Sequence, residues 1–129
     1  MKDFVDIVDA PAVVADPKPW TLVTRAKEVP YDRGIAALVD GEPVAIFRLR
    51  SEASEDEWYA VSHLDPVQGV PVMARGLVGS AGEFGETPTV ASPLHKRRYD
   101  LTTGACLDDD TPGLETFDVL VIDGSVLVA

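Results

Sequence analysis

Two short stretches hold most of the residues able to do chemistry: Tyr59-Ala60-Val61-Ser62-His63-Leu64-Asp65-Pro66-Val67 and Ser92-Pro93-Leu94-His95. Between them they carry both histidines of the chain, a carboxylate and buriable hydroxyls. Two imidazoles and one carboxylate suit a mononuclear divalent metal. His63 and Asp65 are two apart, so in an extended segment they face the same side. If the two stretches converge, His63, Asp65 and His95 form such a trio. The plainer readings stand beside it. Asp65 braces its own Asp-Pro turn by accepting backbone N–H groups, and His95 is a hydrogen-bonded loop histidine. Ser92 has a hydroxyl that does not ionise near neutral pH, and Val67 offers no donor atom. Cys106, the single cysteine, lies outside both stretches. It allows no intrachain disulfide, completes no thiolate metal site, and reads as a small buried hydrophobe. No Gly-x-Ser-x-Gly, phosphate-binding loop or helical His-Glu-x-x-His occurs.

Charge adds a second kind of candidate. The 129 residues carry 22 Asp and Glu against 11 Lys and Arg, a formal balance of −11. Such a surface repels phosphate backbones and anionic headgroups, which argues against nucleic-acid and membrane partners. It favours solubility and docking to a basic partner surface. Against that background Lys96-Arg97-Arg98 is a basic run, either balanced by nearby carboxylates or a docking patch. Arg75 has similar alternatives, pairing with Asp65 or with a partner's carboxylate. No apolar run approaches the roughly 20 residues that span a bilayer. The N-terminus has no basic segment leading into an apolar one. One thiol suits a reducing compartment, so the expectation is a cytoplasmic protein.

The elements that must position these residues are strands. Residues 1–19, broken by Pro11, Pro17 and Pro19, read as a mobile arm. From Trp20 onward, β-forming runs alternate with turns. Asp40-Gly41 and Asp123-Gly124 each sit between two such runs, a strong hairpin signal. Thr102-Thr103-Gly104 is a third turn, expected between strands at 99–101 and 105–107. Trp58 to Val61 is a strand broken by Asp65-Pro66, and Phe117 to Ile122 is another strand. Residues 51–57 read as an acidic exposed loop and residues 80–88 as a Gly-rich turn region. Single helical turns fit near Glu28 and within 70–74. The pattern predicts one all-β domain over 20–129, a barrel or sandwich.

The order of these pieces resembles the Rieske-type 2Fe–2S domain. That family binds its cluster through Cys-x-His and Cys-x-x-His loops. At the matching positions this chain has Asp65, Val67, Ser92 and His95, so one ligand of four survives. The frame persists: Tyr59-Ala60-Val61 leads into Asp65-Pro66, and Ser92-Pro93-Leu94-His95 precedes Tyr99-Asp100-Leu101 and a Thr-Gly turn. The combination, with Arg75-Gly76-Leu77-Val78-Gly79 and Ala91-Ser92-Pro93-Leu94, is similar to the small subunits of cytoplasmic NAD(P)H-dependent nitrite reductases.

The resemblance implies an antiparallel β-sandwich or barrel with a smaller, loop-rich former cluster-binding subdomain. It also implies a non-catalytic subunit with no cofactor of its own. The partner it implies is a large subunit carrying FAD, a 4Fe–4S cluster and sirohaem, which reduces nitrite to ammonium. The isolated chain is then expected to be inactive. Arg75, Lys96, Arg97 and Arg98 are the candidate partner contacts, along with the loops at 51–57 and 80–88. The alternatives are a small mononuclear-metal protein using His63, Asp65 and His95, or a generic β-domain adaptor.

Overall fold

The computed structural model describes residues 19–50 and 55–129. The expected arm (all but Pro19) and the first part of the acidic loop lie outside the described residues. Among the described residues, ten strands form three antiparallel sheets: β1 (Thr21–Arg25), β10 (Ser125–Val128) and β9 (Val119–Ile122); β2 (Gly34–Val39), β3 (Glu42–Leu49), β4 (Glu57–Ser62) and β8 (Thr116–Phe117); and β5 (Leu77–Ala81), β6 (Thr87–Ala91) and β7 (Arg98–Asp100). The described residues contain only two short 3-10 turns, Ala26–Glu28 and Met73–Arg75. The all-β expectation holds.

β3 explains the layering. Its side chains alternate between faces, yet Val44 to Phe47 are all buried. Ala45, Phe47 and Leu49 join Val61, Met73, Val90, Tyr99, Leu101 and Leu114 in one core. Val44 and Ile46 join Val39, Ala60, Val126 and Val128 in the other. The four-stranded sheet is therefore a middle layer between the β1-β10-β9 sheet and the smaller loop-rich unit around β5-β6-β7. Two hairpins fold as their Asp-Gly signals require: Asp40 and Gly41 (φ 52° and 83°), and Asp123 and Gly124 (φ 52° and 80°), occupy left-handed backbone conformations.

Three local expectations are corrected. Phe117 to Ile122 is not one strand. Phe117 pairs with Ala60 in the middle sheet, while Val119–Ile122 pairs with β10. Asp118 marks the crossing, exchanging backbone hydrogen bonds with Ala129 at 2.7 and 3.0 Å. An apolar run does not disclose which sheet each half serves. Residues 105–107 make a single bridge, Tyr99 to Cys106, rather than a strand. Gly104 (φ 84°) packs its backbone against Leu114, whose N–H donates to the Gly104 carbonyl at 2.7 Å, and this turns the chain away. The turn at 80–88 is shorter than expected, because β5 runs to Ala81 and β6 begins at Thr87. Pro88 lacks a donor but sits within β6, where its carbonyl accepts from Leu101 N.

Candidate functional site

The two candidate stretches become two loops at one end of the molecule. The first leaves β4 and reaches β5 through residues 63–76, and His63 organises its base. The His63 N–H donates to the Pro43 carbonyl, and its carbonyl accepts from Val72 N and Met73 N, each at 3.0 Å. The imidazole Nδ1 accepts from Ala74 N at 3.0 Å. Burial, and then the nearby Arg75 guanidinium, push its pKa below the ordinary value for histidine. Further out, Asp65 N donates to Val70 O at 2.8 Å, and Gly69 N donates to Asp65 O at 2.7 Å with φ 74° at the glycine. The second loop closes on itself between β6 and β7. Ser92 N donates to Arg97 O, and Lys96 N to Ser92 O, each at 2.9 Å.

Asp65 ties the loops together. Its side chain is wholly buried. Oδ2 accepts from Val67 N at 3.0 Å and Gln68 N at 2.7 Å, which fastens its own turn. Oδ1 reaches across the gap and accepts from Ser92 Oγ at 2.8 Å; it also meets His95 Nε2 at 2.7 Å. Arg97 N donates to His95 Nδ1 at 3.3 Å. The hydrogen bonds thus assign the imidazole proton to Nε2, which donates to Asp65. Burial alone would raise the Asp65 pKa. The bonds from Gln68, Ser92, His95 and Val67 outweigh it and hold the carboxyl below its ordinary range. Ser92 also accepts from Leu94 N at 3.2 Å. Because the Ser92 hydroxyl proton points to the carboxylate, the imidazole is not its base, and the three residues are not a Ser-His-Asp relay.

The metal trio does not assemble. Asp65 and His95 meet, but the His63 imidazole is engaged with Ala74 N. Among the described residues no group of three or more His, Cys, Asp or Glu side chains is placed to hold a metal. The donor set does not fit a Rieske cluster either. Val67 has no ligating atom, Asp65 and Ser92 offer hard oxygen where thiolates are needed, and His95 Nε2 is turned onto Asp65. Beneath the loops lies Tyr99, fully buried, with its ring edge-on to His95 at 6.4 Å. Its hydroxyl has no hydrogen-bond partner among the described residues. Burial first, then nearby Cys106 and Asp65, push this phenol up to about 12.

The four candidate cations divide. Arg97 Nε donates to Asp109 at 2.6 Å, and Arg98 forks onto Asp108 with its shortest contact at 2.7 Å. These two are spent on intrachain pairs, which hold the Asp108 and Asp109 carboxyls below their usual range. Lys96 is exposed, in a left-handed conformation (φ 65°). Arg75 does not pair with Asp65, contrary to one expectation, because four donors already surround that carboxylate. Sequence reasoning missed the apolar rim of the loop end, where Leu64, Val67, Val70 and Leu94 are each more than a third exposed. The signal was there in aliphatic residues flanking both prolines. It also missed Arg33, which lines a groove with Arg75; nothing in its local sequence marks it.

Residues 19–129 match the model of the Rieske-like 2Fe-2S domain. The nitrite reductase (NADH) small subunit of Salmonella typhimurium is 36% identical over 107 residues, 83% of this chain and 94% of that one. A structure described as a putative NADH-dependent nitrite reductase small subunit from Mycobacterium tuberculosis superimposes with a TM-score of 0.77 at 33% identity, covering 88% of this chain and 96% of that one. A segment of the nitrite reductase NAD(P)H large subunit of Klebsiella oxytoca is 34% identical over 111 residues, 86% of this chain but 11% of that one. With a β frame, a loop pair and relatives that all agree, the chain belongs to the Rieske-like family and, within it, to the nitrite reductase small subunits.

Proposed function

We propose that this chain is a non-catalytic, cytoplasmic subunit that docks on the large subunit of an NAD(P)H-dependent nitrite reductase and holds no cluster of its own. The observation that carries this reading is the buried Asp65 knot. Where a Rieske domain uses iron to join its loops, this chain uses one carboxylate with four hydrogen-bond donors. A loop end fixed in this way is rigid and offers no redox group, and its apolar rim of Leu64, Val67, Val70 and Leu94 suits contact with another protein. Phe84, exposed on the β5–β6 turn, offers a second apolar point.

The partner is inferred from the relatives. In the Klebsiella oxytoca protein the matching segment is part of the large chain itself, an arrangement that makes their encounter intramolecular. On this reading the large subunit carries FAD, a 4Fe–4S cluster and sirohaem, and with them the reduction of nitrite to ammonium. This chain's part is to order the catalytic chain near its electron path.

The test is to mix the two purified subunits and follow association and nitrite-dependent NAD(P)H oxidation. The expected result is association at micromolar concentration or tighter, with a rate that depends on the small subunit. Separate migration together with an unchanged rate contradicts the reading.

A further inference from the structure

Gly34 opens β2 and Ala74 lies in the Met73–Arg75 turn. The two approach so closely that a Cβ on Gly34 would stand 2.7 Å from the Ala74 carbonyl. Their chain neighbours, Arg33 and Arg75, are thereby brought to one groove of about 410 Å³, lined also by Asp32, Gly76, Leu77 and Val78. Both arginines are exposed, and neither guanidinium has a hydrogen bond or ion pair among the described residues. This contrasts with Arg48, Arg97 and Arg98, each bound to an aspartate. Among the described lining residues, Asp32 alone offsets their charge. Leu77, beside Arg75, is 78% exposed. It opens β5, which is an edge strand, as is β2.

We propose that this groove is a receptor for a carboxylate-bearing extended segment of the large subunit. The proposal rests on the docking reading and gives it a specific contact. Two unpaired guanidiniums on a chain of net charge −11 select an anion, and their planar forks match a carboxylate. The exposed Leu77 calls for an apolar neighbour on the incoming segment, and the outer edge of β5, unpaired among the described residues, supplies backbone groups for a strand to pair with. A peptide satisfies all three features, whereas a small inorganic anion uses only the first.

The experiment measures affinity of the full chain for the large subunit, comparing wild type with Arg33→Glu/Arg75→Glu and with a variant lacking residues 1–18. The arginines make no hydrogen bond or ion pair among the described residues, so the double variant should match wild type in melting temperature. It should bind at least about tenfold more weakly, with a flatter dependence on salt. Arg33→Gln/Arg75→Gln should fall between. Equal binding by wild type and the charge-reversed variant overturns the groove proposal and leaves the docking reading standing. No binding by wild type overturns both. A weakening by Arg33→Glu/Arg75→Glu that disappears once residues 1–18 are removed also overturns it, because the arginines then act on the chain's own acidic arm and not on the large subunit.

Discussion

Asp65 and Arg48 each fasten a loop region to the sheets, one as a buried anion and the other as a half-buried cation. Arg48, on β3, donates to Asp56 and to the carbonyls of Ala26 and Val29. Its guanidinium lies over Tyr31 at 4.3 Å and Trp58 at 5.4 Å, and Tyr31 in turn donates to Asp56. Water can replace some of these contacts, because the Arg48 and Asp56 side chains remain about a fifth to a quarter exposed. Asp65 has no such recourse. Its charge is out of solvent, and every donor that compensates it comes from the two loops. The chain therefore depends more sharply on the anion-centred clasp, which on the proposed reading stands where a Rieske domain would hold its cluster.

The largest effect is expected at the anion. Asp65→Ala leaves the Ser92 hydroxyl, the His95 N–H and two backbone N–H groups facing no acceptor, and should lower unfolding free energy by about 3–5 kcal/mol in urea titration. Asp65→Asn should fall short of that loss, since its amide still accepts through one oxygen. Because the folded-state pKa of Asp65 is depressed, its contribution is present above about pH 4 and is lost as pH falls through the folded value. The Asn variant should lack that part of the acid-unfolding limb. If Asp65→Ala proves as stable as wild type, the loops are held together by something else.

A smaller fall is expected for Arg48→Ala, seen as a lower denaturation midpoint than wild type but a higher one than Asp65→Ala. The reverse order would invert the comparison. Smaller still is the effect of His63. Its folded pKa lies below the ordinary value, so its contribution is present above about pH 6.5 and declines as pH falls below it. His63→Asn, whose amide oxygen can accept from Ala74 N, should flatten the stability profile between pH 7 and 5. Smallest are Arg97→Gln and Arg98→Gln, which break solvent-exposed pairs. They should leave both the midpoint and the affinity for the large subunit unchanged; a marked loss of affinity would make the second loop's basic run part of the interface.

These outcomes also mark what was legible in the residues themselves. Hairpins at Asp40-Gly41 and Asp123-Gly124 were readable because a tight turn demands left-handed backbone there. The bracing of Asp65 by backbone N–H groups followed from local Asp-Pro chemistry. Its bonds to Ser92 and His95 did not, because they join loops about thirty residues apart and depend on how the small sheet packs on the middle one. The Arg97–Asp109 and Arg98–Asp108 pairs were foreseeable as charge balance, but not their register. Arg33 was invisible for the same reason as the split at Asp118: both are set by which distant segment a strand end meets.

Whether a carboxylate or a cluster unites the two loops is decided by counting iron and acid-labile sulfide in the chain after anaerobic, iron-replete expression. The expected result is a colourless protein with neither in stoichiometric amount. Two irons and two sulfides per chain, with the visible absorption of a 2Fe–2S centre, would contradict it.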